Sequence, residues 1–296
     1  MKTSKKIYGI ALVLTCSLAP TLKAQNLYVV NSGNNTVGEY GLDGSTINAS
    51  LITGLHDPQG IATSGNNLFV ENRGNGTVGE YTTSGATVNA SLISGLSEPW
   101  GMATSGNNLF VYNYILGTIG EYTTSGATVN ASLISGLASP VCLAVSGNNI
   151  FVPNGYNGIP GIAEYTTSGA LVNPALLTGL GYVYGIAISG NDLFIANDQA
   201  NTIGEYTTSG ATINASLITG LSNPYGISIY GNDLFVVNSG NDTVGEYTTS
   251  GATVNASLIT GLNNPSVIAV GPVPEPSAAA LAGLGAGALW LWRRRK

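Results

Sequence analysis

Side chains that could transfer protons, bind metals or attack a substrate are scarce in this chain. His56 is its only histidine. A Ser-His-Asp set with a spare base, a zincin helix and a His/Cys zinc cluster therefore cannot be assembled, and His56 reads as an exposed loop residue. Of two cysteines, Cys16 lies near the N-terminus and Cys142 stands alone in the body. That excludes an internal disulfide after leader removal and leaves Cys142 as a small buried hydrophobe. Gly74-x-Gly76-x-x-Gly79 has the letters of a dinucleotide fingerprint, but it sits in a hairpin and opens no helix. Asn-Ala-Ser recurs at Asn48, Asn89, Asn130, Asn214 and Asn255. It reads as a structural repeat, not as a set of glycan acceptors.

Six glutamates recur as well: Glu39, Glu80, Glu121, Glu164, Glu205 and Glu246. Six unpaired carboxylates converging on one point would repel, and a calcium site needs six to eight oxygens including several carboxylates. These glutamates are expected to accept hydrogen bonds between neighbouring repeats. So are Asn31, Asn72, Asn113, Asn154, Asn197 and Asn238, which end each Phe-Val-x-Asn run.

A feature present six times cannot define a single site, so the varying positions carry the functional information. The residue after each recurrent Pro is Gln59, Trp100, Val141, Tyr225 or Ser266, with Tyr184 at that place in the repeat lacking the Pro. The third position of Phe-Val-x-Asn is Val30, Glu71, Tyr112, Pro153, Ala196 or Val237, and Arg73, Tyr114 and Asp198 vary just beyond it. Trp100, Tyr112, Tyr114, Tyr184 and Tyr225, with Arg73, Glu71, Glu98 and Asp198, are the candidate ligand-binding residues. Aromatics with a few polar groups in a concavity suit a ligand or partner. Neutral drift on unconstrained loops would also produce variation.

The elements that hold these residues follow from self-comparison. Gly-Glu-Tyr, once Ala-Glu-Tyr, ends at Tyr40, Tyr81, Tyr122, Tyr165, Tyr206 and Tyr247, at spacings of 41, 41, 43, 41 and 41. No helical period runs through a unit. Four β-rich runs do, in the second unit Gly60–Thr63, Leu68–Asn72, Thr77–Thr82 and Ala86–Ile93, separated by Ser-Gly-Asn-Asn, Arg-Gly-Asn-Gly and Thr-Ser-Gly turns. Four strands, a to d, in about 41 residues make one propeller blade. The chain enters at a strand b (Leu27) and leaves after a strand a (Val267–Val270). The expectation is an all-β, six-bladed β-propeller over residues 25–271, closed by pairing its two ends, with the d–a and b–c connections on one face.

The b–c hairpin Asn238-Ser239-Gly240-Asn241-Asp242-Thr243-Val244-Gly245-Glu246-Tyr247 resembles that of NHL-repeat propellers. Here Asn replaces their usual Asp in every blade, and Thr or once Pro replaces the basic residue before strand c. The resemblance implies the propeller fold. Its members range from binding scaffolds to lyases, and similar folds carry lactonases, so fold alone selects no activity.

Charge narrows the partners. Charged residues make up 8% of the 296-residue chain, against roughly 25% in ordinary domains. Between residues 25 and 292 the only basic residue is Arg73, facing 15 acidic ones, a net charge near −14. Nucleic acid is excluded as a partner, because phosphate binding needs clustered Lys and Arg.

The two ends read as addresses. Lys2, Lys5 and Lys6 precede the apolar run Ile7–Leu18, and Ala24 before Gln25 is a plausible cleavage point, so residues 1–24 read as a signal peptide. Cys16 lacks the small preceding residues of a lipidation site. At the other end Val273-Pro274-Glu275-Pro276 is followed by the uncharged stretch 277–292 and by Arg293-Arg294-Arg295-Lys296. Sixteen residues of helix span about 24 Å, and Trp290 and Trp292 suit an interfacial belt. This tripartite tail, 272–296, closely resembles the PEP-CTERM sorting signal, with an ordinary single-span anchor as the alternative. The resemblance implies processing by an exosortase-type enzyme. It also implies export to the envelope or extracellular matrix of a Gram-negative bacterium, tethered to the membrane through the tail unless cleaved.

Together these features predict an exported, non-enzymatic module that binds polysaccharide or protein and needs no cofactor. The alternative is a metal-dependent lactonase- or lyase-like propeller. It requires Glu71, Glu98, Asp198 and an asparagine or two around one ion at the channel mouth, at about 2.3–2.6 Å.

Overall fold

A computed structural model describes residues 25–138, 140–154 and 161–273. Six four-stranded antiparallel sheets, each in the order a-b-c-d, form the blades. In blade 2 the strands are Pro58–Ser64, Asn67–Asn72, Thr77–Thr82 and Thr87–Ile93, within two residues of the runs expected from the sequence. Blade 1 is composite. Its strand a is Pro265–Pro272, and its strands b, c and d are Gln25–Asn31, Thr36–Gly41 and Thr46–Ile52. The closing pair is antiparallel, with Leu27 opposite Val270 and Val29 opposite Ile268. All-β architecture, blade number and closure by the two ends follow the expectation.

Each blade buries both faces against its neighbours. Phe69, Val78 and Ile93 of blade 2 pack on Leu109, Val111 and Tyr122 of blade 3. Across the seam, Phe235, Val237 and Val244 of blade 6 pack on Leu27, Val29 and Tyr40 of blade 1. Phe69, Phe110, Phe151, Phe194 and Phe235 are fully buried, as is Tyr28 in the matching place of blade 1. The closing blade is thus packed like the others, with the apolar residues of its inner strands shielded from water, while the outer strands keep exposed ones such as Val88 and Val254.

Polar repeats hold the loops. Asn72 Oδ1 accepts the backbone N–H of His56, and Asn113, Asn154 and Asn238 do the same for Ser97, Ala138 and Ser222. Across the seam Asn31 takes the N–H of Asn263 in the same way. These asparagines therefore anchor the d–a connector arriving from the preceding blade. The glutamates do something else than expected. Asn26, Asn67 and Asn108 at the start of strand b donate to Glu39, Glu80 and Glu121 on strand c of the same blade, each at 2.7 Å. The register that sets Tyr28 opposite Glu39 brings Asn26 alongside as the diagonal neighbour. The bonds lie within blades, not between them.

The Asn-Ala-Ser runs lie on the outer strands, whose register slips by bulging. At each slip the Asn side chain accepts the N–H two residues on, as Ser50 to Asn48 and Ser91 to Asn89 at 3.1 Å. Bulging and internal satisfaction blunt an otherwise exposed edge.

Glycine is required where the inner strands converge. A Cβ on Gly101, at φ +110°, would meet the backbone of Cys142 at 2.9 Å, and one on Gly226 would meet that of Val267 at 2.7 Å. Cys142 occupies this position in blade 4, where strand a is shortened to Ala144–Ser146. Cys142 is half-buried at the axis, and burial pushes its thiol pKa up. The inner strands enclose an axial cavity of about 110 Å3.

Candidate functional site

The connections emerge as expected. The b–c hairpin of blade 2 bonds to the preceding d–a connector through Arg73 N–H to Asp57 O and Gly74 N–H to His56 O. The c–d and a–b turns meet on the other face, as Thr83 N–H to Asn66 O. The varying residues therefore share one face.

On that face a continuous set of contacts crosses the axis. The Arg73 guanidinium pairs with Glu98 at 2.7 Å and Asp57 at 3.3 Å, and Glu98 holds its pKa up. Its Cζ lies 4.7 Å from the centroid of Trp100, a cation–π contact. Trp100 Nε1 donates to the Tyr225 hydroxyl at 3.1 Å. Tyr225 stacks on Tyr184, with centroids 4.4 Å apart and planes at 26°. Tyr114 lies 5.4 Å from Trp100, and Tyr112 meets Tyr114 edge-on. Residues from blades 2, 3, 5 and 6 thus fix one another before any ligand arrives. Glu98 takes part at a cost, because it sits at φ +49°, where Asn is far more at ease than Glu. Asn223 and Asn264 fill the same place in two other connectors.

Beside this network lies a cavity of about 250 Å3, lined among others by Trp100, Tyr114, Val141, Asn154, Tyr182 and Tyr184. Tyr182 is 61% exposed. Sequence comparison of the repeats misses it. Val183 stands where other connectors carry Pro, so Tyr182 occupies the position of Asp57, Glu98, Asn223 and Asn264. An aromatic in a turn row was the available signal.

Two candidates are not on the open face. Tyr112 and Glu71 are both fully buried. Tyr112 belongs to the core between blades 3 and 4, and its hydroxyl donates to Tyr114 O at 3.3 Å. Alternation along strand b turns the position before the terminal Asn inward. Glu71 accepts the Gly101 N–H at 2.7 Å through Oε2, and its Oε1 has no hydrogen-bond partner. Burial pushes its pKa up to about 8, against the pull of that N–H. Asp198 is half-buried, and desolvation raises its pKa.

The carboxylates do not form a metal-ligand set. Glu98 is engaged by Arg73, Glu71 faces the Gly60 and Gly101 backbone, and among the described residues no three His, Cys, Asp or Glu side chains group to hold a metal. His56 is exposed in its connector.

Residues 272–296 match the family model of the PEP-CTERM protein-sorting motif. The chain carries a PEP-CTERM sorting tail. This motif indicates export, with a membrane-anchored sorting signal, and implies processing by an exosortase-type enzyme. Pro274, Glu275, Pro276 and the apolar run 277–292 lie outside the described residues, as does Ala24 of the expected cleavage point. Among the described residues no helix is long and apolar enough to cross a membrane.

No curated protein matches the chain in sequence. Solved structures match the propeller of this chain in fold. A chain of a nidogen/laminin complex aligns with TM-score 0.70 at 14% identity, over 83% of this chain and 98% of the other. A streptogramin B lyase aligns with TM-score 0.60 at 19% identity, over 82% and 91%. A gluconolactonase from Xanthomonas campestris aligns with TM-score 0.58 at 15% identity, over 69% and 77%.

Proposed function

We propose that this exported propeller is a non-catalytic binding module that receives a polysaccharide or protein ligand at the aromatic seat of blades 3 to 5, with Arg73 and Glu98 as its brace. The observation that carries the reading is the coincidence of the 250 Å3 cavity with mutually fixed aromatic rings. Rings already held by packing and hydrogen bonds lose little freedom on binding, which is where much of the cost of association arises. The other face offers near-identical turns in blades 2 to 6, and a repeated surface has no single seat. The tail 272–296 is then the device that delivers the seat to the envelope or matrix, and residues 1–24 the leader that starts export.

The enzyme reading draws on the lyase and lactonase neighbours and needs chemistry at the mouth. Glu71 is walled off from it, Glu98 is paired, and Asp198 has neither beside it to make a ligand set. These placements favour binding.

The test is binding of the full chain, and of a Tyr114→Ala/Tyr182→Ala variant, to purified extracellular polysaccharides and to matrix protein fractions. The variant is expected to keep its fold and lose at least tenfold in affinity for whichever material the parent binds. Equal binding by both chains would place the ligand elsewhere.

A further inference from the structure

The aromatic cavity has a composition that selects among ligand chemistries. Among the described residues no charged side chain lines it. The one basic residue near it, Arg73, lies against the Trp100 ring and is held by two carboxylates. Among the described residues an anionic group entering the seat would find no free cation, and it would meet the field of a body carrying a net charge near −14.

What the seat does offer is ring surface and neutral polar groups. Trp100, Tyr114, Tyr182 and Tyr184 contribute four rings, with Tyr182 the most open. The Asn154 side chain adds an amide whose Oδ1 is already committed to the Ala138 N–H at 3.0 Å. That commitment fixes the amide's orientation and directs its two N–H donors elsewhere. Such a surface suits a ligand with a flat array of C–H bonds on one side and neutral hydroxyls at its edge. At about 250 Å3 the space falls below the roughly 300–1,000 Å3 of drug-sized pockets. It fits one ring, not an oligomer laid lengthwise.

Resting on the binding reading above, we infer that the seat takes a single neutral pyranose unit, stacked on the aromatic rings, as a free sugar or as one residue of a longer chain. Apolar C–H faces on tyrosine and tryptophan supply the affinity. Hydroxyl contacts with Asn154 and the tyrosine phenols supply the orientation. The Tyr184–Tyr225 stack and the Trp100–Tyr225 hydrogen bond keep two of the rings in place while the seat is empty.

Saturation-transfer NMR on the full chain tests this. Methyl β-D-glucopyranoside and methyl β-D-galactopyranoside are the neutral probes, D-glucuronate the anionic one and choline the cationic one. The expected result is transfer to at least one neutral glycoside, strongest on the C–H protons of one ring face. It should fall at least fivefold in Tyr182→Ala, and glucuronate and choline should give none. Transfer to choline or glucuronate alone would overturn the pyranose assignment and leave the seat a binding site. So would silence from all four probes, if the parent still binds matrix material in a manner sensitive to Tyr114→Ala/Tyr182→Ala. Undiminished glycoside signals in Tyr182→Ala and in Trp100→Ala would overturn both the assignment and the seat. Circular dichroism showing the parent's strand content in each variant separates loss of ligand from loss of fold.

Discussion

Two of the candidate residues have environments that set measurable properties. Glu71 is fully buried, with one carboxyl oxygen bonded to Gly101 and the other unpartnered. Its pKa lies near 8 in the fold and near 4.3 in the unfolded chain. The folded state therefore holds a proton that the unfolded state releases, so this residue's contribution to stability is lost as pH rises from about 4 through 8. Glu71→Gln keeps an oxygen for the Gly101 N–H and cannot ionise. Relative to its parent the variant should melt at nearly the same temperature at pH 4 and several degrees higher at pH 9, as read by thermal denaturation. Equal melting at both pH values would show that Glu71 ionises without penalty. Arg73 tests the brace. Both its partners are partly exposed, so the ion pairs contribute little, and the Trp100 contact adds about 0.5–1 kcal/mol. Arg73→Ala should cost about 1 kcal/mol in denaturant unfolding, and the loss should shrink in high salt.

At the scale of the strands, the repeats act as internal controls. Blades 1 to 3 pair a strand-b Asn with a strand-c Glu, whereas blades 5 and 6 carry Asp192 and Asp233 in that place. Burial raises the pKa of Glu205 first, and the charge of Asp192 raises it further. Asp192→Asn should restore the amide–carboxylate bond and raise the melting temperature at pH 7 to 8. The gain should shrink as pH falls, because Glu205, its pKa raised by burial, then takes up a proton and no longer needs the amide. The Gly of Gly-Glu-Tyr obeys a steric rule, since a Cβ on Gly120 would meet the Tyr122 ring at 2.7 Å. Gly120→Ala should cost about 1–3 kcal/mol by overpacking, and the lower end applies if the ring gives way, since blade 4 carries Ala163 at the same place.

Strand placement was legible because turn residues punctuate a 41-residue period, and an entry at strand b with an exit after strand a leaves one sheet to be completed. What escaped depends on neighbours in space. Tyr112 reads as a ligand-facing aromatic because its position varies between repeats, yet strand alternation turns it into the core. Tyr182 is passed over because Val183 replaces the marker Pro and the comparison takes up the residue after it, Tyr184. The partner of each glutamate is 13 residues earlier on the adjacent strand, a pairing set by register that residue types alone do not fix.

For the molecule as a whole, the seat exists only because the ring closes. Trp100, Tyr184 and Tyr225 come from three blades, and their distances are set by the circumference, which the pairing of Pro265–Pro272 with Gln25–Asn31 completes. The Asn31–Asn263 bond repeats across that seam the contact made inside the chain by Asn72 and His56. Amide hydrogen exchange on the full chain reads this closure directly, since strand 265–272 has only Gln25–Asn31 as its sheet partner. Amides within 266–270 should exchange as slowly as those of strand 58–64, which occupies the same position in blade 2. Exchange of 266–270 within seconds, with 58–64 protected, would contradict closure.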